Sequence, residues 1–159
     1  MRATVVTVSD RASRGVYTDV SGPACKVMLA EAGFTVGDIV VIPDGIDSVR
    51  ATLAGLVGAT DLIVTTGGTG LSPRDLTPEA TRLVIDREAP GFAEAMRAAT
   101  LGKNVYGMLS RSVSGIAGRT LIINVPGSEK GATESLEVVM GALQHAVELL
   151  IGHPTDHNT

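Results

Sequence analysis

The sequence predicts an α/β fold: a three-layer α/β/α sandwich around a mostly parallel central sheet. Two observations carry that expectation. Four runs rich in β-branched residues, 3–8 (ATVVTV), 38–42 (DIVVI), 61–66 (DLIVTT) and 120–125 (TLIINV), are continuous rather than alternating. This is the pattern of strands buried on both faces of a parallel sheet. Helical segments fall between the runs, and strand–helix alternation in a chain of 159 residues gives a layered domain with right-handed crossovers.

After the first strand, a helix is expected over 23–32, behind the Ser21-Gly22-Pro23 start. The next is expected over 47–57 with Asp47 as its N-cap. A third, over 77–87, has Thr77 at the N-cap and Pro78 at the first helical position, where proline is preferred. A short helix follows over 90–99. The segment 107–125 holds two runs separated by Gly118 and reads as a hairpin on the sheet edge. The clearest helix is 132–151, where Leu136, Val139, Met140, Leu143, Val147 and Leu150 repeat at helical spacing. His145 falls across from that stripe and reads as a surface residue. Residues 1–151 are expected to form one domain. The last residues, 152–159, read as a flexible tail whose two histidines lack the spacing of a metal site.

Composition limits the function classes. Hydrophobic residues at 44% and charged ones at 19% suit a globular chain. Aromatics are 3% and net charge is -4, so neither stacking platforms nor a basic face invites nucleic acid. No apolar run has the length to span a bilayer, so no membrane partner is expected. Cys25 is the one cysteine, excluding an internal disulfide and matching a reducing cytoplasm; inside an expected helix it reads as a small buried residue.

In α/β sheets ligands bind beyond the carboxyl ends of the strands, where strand order reverses. Here those ends carry Ser9-Asp10-Arg11, then Pro43-Asp44-Gly45, then a loop from Gly67 to Asp75, then Pro126-Gly127-Ser128. Turn chemistry explains each one taken singly. Four such loops on one edge point instead to a ligand. The glycine loop fits neither familiar nucleotide motif. No lysine follows it as a P-loop requires, and Pro73 stands where the third glycine of G-x-G-x-x-G belongs. It can still offer backbone N–H groups to an anion, with hydroxyls from Thr66 and Thr69. Carboxylates beside a phosphate repel it unless a cation lies between, so Asp44 and Asp75 point to Mg²⁺ on a polyphosphate.

At 65–81, TTGGTGLSPRDLTPEAT, the chain resembles the molybdopterin adenylyltransferase family, which includes MogA and MoaB proteins and the G domains of gephyrin and plant Cnx proteins. The resemblance extends through TVSD (7–10), IPD (42–44), EAPGFAEAMR (88–97) and LSRSVSGIAGRTLIINVPGS (109–128). It implies Mg²⁺-dependent transfer of AMP from ATP to the terminal phosphate of molybdopterin, with release of pyrophosphate. It also implies assembly as a homotrimer, some MoaB members being hexamers, and delivery of the product to a molybdenum-insertion enzyme. By position it assigns Asp44 and Asp75 to metal binding and catalysis, and Thr69 and Ser110 to the pterin substrate. Ser9 and Asp10 match the SD at the end of the first strand, and Pro126, Gly127 and Ser128 match a segment near the nucleotide. The loop Gly67, Gly68, Thr69 and Gly70 would orient phosphates. Arg74 and Arg111 read either as anion partners or as salt-bridge residues. Two other readings are a non-catalytic molybdopterin-binding or scaffolding protein, as among MoaB homologues, and a nucleotide-pyrophosphate hydrolase.

Overall fold

A computed structural model describes residues 1–152; the expected tail therefore lies, but for Gly152, outside the described residues. Among these, seven strands form one sheet: β1 (Arg2–Val8), β2 (Thr35–Val36), β3 (Val40–Ile42), β4 (Leu62–Thr66), β5 (Arg87–Glu88), β6 (Ser114–Ala117) and β7 (Thr120–Val125). The helices are α1 (Asp10–Ser13), α2 (Ser21–Glu31), α3 (Ile46–Leu56), α4 (Thr77–Arg82), α5 (Pro90–Leu101) and α6 (Glu129–Ile151), with a 3-10 turn at Val105–Leu109. The sheet runs β2-β1-β4-β7-β6-β5, with β3 also paired to β1. All pairings from β2 to β7 are parallel, and β6 and β5 are added antiparallel.

The continuous apolar runs do what their pattern requires. Every residue of β4 and β7 is buried. On one face Val5, Val64 and Ile123 pack under α2, α5 and α6. On the other, Val6, Ile63 and Ile122 pack under α3 and α4. These are the two helical layers of the sandwich. The hairpin expected around Gly118 is β6–β7, but β7 lies inside the sheet against β4, and the edge passes to β5.

Several boundaries move for physical reasons. α3 starts at Ile46 behind Gly45, whose φ of 118° only glycine adopts freely, so Asp47 sits in the first turn and is not the cap. The helix expected over 77–87 stops at Arg82, because the chain must turn to pair Asp86 with Ile116 and lay β5 on the sheet edge. Thr77 does not cap it: its hydroxyl donates to the Gly67 carbonyl at 2.9 Å. α6 begins at Glu129, three residues before the start expected at 132, because Ser128 caps it by accepting from the Gly131 N–H at 3.1 Å. α2 starts at Ser21, where the Asp19 carboxylate accepts from the Gly22 N–H at 3.0 Å.

Candidate functional site

Strand register builds the site. Thr7 pairs with Thr66, Thr66 with Val125, and Val8 with Ile42. Four parallel strands therefore end at the same level, and the loops after β1, β3, β4 and β7 emerge along one edge. Sheet order also reverses there: the chain steps from β1 outward to β2 and β3, then returns to β4 on the other side of β1. That is the position at which α/β sheets bind ligands.

The glycine loop is held from below. Gly67 donates to the Val125 carbonyl and its φ is 103°. A Cβ there would lie 2.2 Å from the Val8 carbonyl oxygen, so the β4 turn can cross the end of β1 only with glycine. Thr66 donates to the Pro126 carbonyl at 2.7 Å, tying the glycine loop to the Pro126–Ser128 loop. Above this floor opens a cleft of about 420 Å³. Gly68, Thr69, Gly70 and Asp75 line one part of it, and Pro126, Gly127 and Ser128 another. Ser110 and Ser112 border it too, their hydroxyls 3.0 Å apart. The remaining wall comes from α5 and the 3-10 turn, through Arg97, Thr100, Asn104 and Tyr106.

Ser9, Asp10 and Asp44 stand outside that lining. Ser9 caps α1 through its hydroxyl, which accepts from the Ala12 N–H. Asp10 and Asp44 hold each other: the Asp10 N–H donates to Asp44 Oδ2 at 2.9 Å, and the Asp44 N–H donates to Asp10 Oδ1 at 3.2 Å. Arg74 reaches Asp10 Oδ2 at 3.7 Å from an exposed position, and Arg14 approaches Oδ1 at 3.8 Å. Asp75 accepts from the Ser72 N–H at 3.0 Å and is hydrogen-bonded to neither aspartate among the described residues.

Mg²⁺ takes one or two carboxylates and completes its shell with water and phosphate oxygens, so a carboxylate oxygen left free at this edge is a donor of the type it accepts. Asp44 Oδ1 and Asp75 Oδ1 accept no hydrogen bond among the described residues, so each keeps an oxygen for a cation. Among the described residues, no group of three or more His, Cys, Asp or Glu gathers in a cage that would hold a metal without a ligand.

Arg111 faces the loop rather than the cleft. Its Nε donates to the Gly70 carbonyl at 2.8 Å, its second nitrogen bonds the Asp75 carbonyl, and its third pairs with Glu79. The backbone of Arg111 also donates to Thr69. Of the two readings left open for it, the intramolecular one describes this geometry. Burial pushes the Glu79 carboxyl up, but the Arg111 hydrogen bond and the charges of Arg111 and Arg82 outweigh it and leave the group below its ordinary value. Cys25 lies on the buried face of α2, where burial and then the charge of Asp19 push its thiol up to about 12, so it is inert.

The Arg97 and Asn104 side chains of the cleft went unnoticed as site residues in the sequence. Arg97 ends the segment EAPGFAEAMR and follows the buried Met96, but that segment assigns it no role and its helix position does not separate a ligand contact from a surface arginine.

Comparison with known proteins agrees with this geometry. Residues 4–145 match the model of a probable molybdopterin binding domain. A molybdopterin adenylyltransferase of Helicobacter pylori is 40% identical over 153 residues, covering 94% of this chain and 87% of the relative. One of Escherichia coli is 43% identical over 146 residues, covering 89% and 75%. The crystal structure of the molybdopterin biosynthesis enzyme MoaB from Thermus thermophilus superposes with a TM-score of 0.91 at 46% identity, over 98% of this chain and 99% of that one. The chain belongs to the molybdopterin-binding domain family of molybdenum cofactor biosynthesis.

Proposed function

We propose that this protein is a molybdopterin adenylyltransferase, which transfers AMP from ATP to molybdopterin. The observation that carries the reading is the pairing of an anion-suited cleft with an aspartate pair at the same sheet edge. Gly68, Thr69 and Gly70 border the cleft, and Asp10 and Asp44 stand beyond it. Relatives bearing that name cover almost the whole chain.

The terminal phosphate oxygen of molybdopterin attacks the α-phosphorus of ATP. The bond to the β-phosphate breaks, and pyrophosphate leaves with the electron pair. The nucleophile is already anionic, so no residue need act as a strong general base. Catalysis rests on positioning and on neutralising charge. Gly68, Thr69 and Gly70 present main-chain N–H groups at the phosphates, the Gly67 N–H being held by the Val125 carbonyl, and Thr69, a residue only 5% exposed, adds a hydroxyl. Ser110 orients the pterin side, and the Pro126–Ser128 loop borders the nucleotide. Asp44, braced by Asp10, and Asp75 would hold Mg²⁺. Bound there, the metal neutralises phosphate charge that no P-loop lysine meets. Arg74 reaches the Asp10 carboxylate from solvent.

The reading also includes a homotrimer, delivery of the product to a molybdenum-insertion enzyme, and a cytoplasmic setting. Among the described residues no helix is long and apolar enough to cross a membrane. The test is adenylyl transfer by the purified chain from ATP and Mg²⁺ to molybdopterin. Formation of adenylylated molybdopterin with stoichiometric pyrophosphate supports the enzyme. Tight molybdopterin binding without product would make this a carrier, and pyrophosphate released from ATP with no pterin present would make it a hydrolase.

A further inference from the structure

The cleft has one cationic side chain. Of its lining residues only Arg97 carries positive charge, and Asp75 is the only one with negative charge. The other arginine close by, Arg111, spends its guanidinium on Gly70, Asp75 and Glu79. Arg97 spends far less. Its NH1 donates to the Ser112 carbonyl at 2.9 Å, and that is its one side-chain hydrogen bond among the described residues, out of the five N–H donors of a guanidinium. The bond does not exhaust the side chain; it aims it. Ser112 is 5% exposed, and its hydroxyl accepts from Ser110 at 3.0 Å, so one buried residue positions both Arg97 and Ser110 on the wall. Placing a half-buried guanidinium beside a cleft costs solvation that a surface ion pair would not, and an incoming anion with two adjacent acceptors offsets that cost.

We propose that Arg97 is a substrate-binding residue that takes an anionic end of molybdopterin through two parallel N–H donors. This deepens the adenylyltransferase reading and rests on it for the identity of the ligand. Molybdopterin offers two such ends, the phosphate with its paired oxygens and the ene-dithiolate with its paired sulfurs. Both present the flat two-acceptor edge that a guanidinium fork matches and a lysine ammonium does not. Contacts of this charge-assisted kind are worth about ten- to a hundredfold in affinity.

The experiment measures binding of three probes to the full chain without ATP: molybdopterin, molybdopterin freed of its phosphate by phosphatase, and molybdopterin alkylated on both sulfurs. Wild type, Arg97→Gln and Arg97→Lys are compared. The wild type is expected to prefer intact molybdopterin over one of the two modified forms. Arg97→Gln should lose that preference and bind intact molybdopterin about ten- to a hundredfold more weakly, with affinity for the deficient form unchanged. Arg97→Lys should recover only part of the preference. Which modified form loses its disadvantage identifies the anion. Equal weakening for all three probes would mean that Arg97 only tethers α5 to Ser112, and no weakening at all would remove it from the site; either overturns the proposal. A melting curve on each variant separates loss of fold, and if Arg97→Gln fails to fold, Arg97→Lys carries the comparison. Adenylyl transfer by wild type, measured alongside, reports separately on the adenylyltransferase reading: Arg97 can discriminate anions in a chain that makes no product, and product can form in a chain where Arg97 does not.

Discussion

Asp10 and Asp44 cap each other across two parallel strands, each backbone N–H donating to the other's carboxylate at 2.9 and 3.2 Å. Side by side at the ends of β1 and β3, two carboxylates would repel if they met head on. Each instead turns one oxygen onto its partner's amide, which fixes both side chains and leaves Asp44 Oδ1 uncommitted. Asparagine at either position keeps an acceptor for that amide bond and removes only charge. Asp44→Asn is therefore expected to keep the wild-type melting temperature within a few degrees and to reduce adenylyl transfer about a hundredfold or more. Asp44→Ala should also destabilise, by about 1–2 kcal/mol for the lost contact. Steady-state rates and thermal melts on both variants decide it, and a fully active Asp44→Asn would take the charge of Asp44 out of the chemistry.

Gly67 is a packing constraint before it is a ligand contact. Its φ of 103° and the Val8 carbonyl 2.2 Å from a would-be Cβ leave no room for any side chain. Gly67→Ala is expected to cost about 2–4 kcal/mol, part in backbone strain and part in displacing the end of β1. Chemical denaturation measures this. A contrast is Gly91→Ala in α5, where a Cβ meets nothing within 4 Å and the change should be neutral or stabilising.

What the sequence revealed and what it hid follow from where the information lies. β1, β4 and β7 were legible because burial on both faces demands unbroken apolar runs, and the four loops followed once parallel register was assumed. Edge strands β2 and β5 are two residues each, and Arg87–Glu88 has no strand-forming side chain; the sheet neighbour β6 decides it. Thr77 looked like a cap because its type and position fit one, yet the Gly67 carbonyl 2.9 Å away competes for the hydroxyl. Arg111 was recognisable as an arginine near a ligand loop, but only tertiary structure shows its donors consumed by Gly70, Asp75 and Glu79. Arg97 carries no local signal, since what singles it out is the neutrality of nearly everything around it.

Arg111 and Glu79 make the glycine loop sensitive to acid. The folded carboxyl of Glu79 lies below its ordinary value of 4.5, so its contribution to stability is present above that value and is lost as pH falls through the folded one. With its side chain 35% exposed, solvent screening keeps the effect modest. The stability difference between wild type and Glu79→Gln, from denaturant unfolding, is expected to be largest near neutrality and to shrink on going to about pH 3. A difference that stays constant with pH would mean the Arg111 contact does not depend on the carboxylate's charge.

Buried polar contacts across the sheet should matter more. Asn124 in β7 is fully buried: its amide donates to Thr65 at 2.9 Å and Thr81 at 3.0 Å, and its carbonyl accepts from the Val113 N–H at 3.2 Å. These bonds join β4, β7, α4 and the segment entering β6, directly behind the site. Asn124→Leu fills similar volume but strands the Thr65 hydroxyl and the Val113 N–H, while the Thr81 hydroxyl keeps its bond to the Thr77 carbonyl, and is expected to cost about 3 kcal/mol. Asn124→Asp adds a charge with no cation beside it and should be worse at neutral pH than in mild acid, where the carboxyl protonates.

The proposed trimer makes a prediction on the far side of α5. There Ala89, Pro90, Phe92 and Ala95 face Val138 and Ala142 of α6 across an apolar groove of about 380 Å³. Val138 is 42% exposed in the single chain, in a groove with almost no polar lining. Burying such a surface against another copy removes apolar area from water at about 25 cal/mol per Å², and a charge placed in it would have to be desolvated without a partner. Val138→Glu is therefore expected to shift the chain toward monomer in sedimentation equilibrium. Leu149→Glu is the control, on the same helix and 50% exposed but outside the groove, and it should leave the assembly unchanged. If both variants sediment as wild type does, the subunits meet through another face; if both dissociate, the contact extends along α6 beyond the groove.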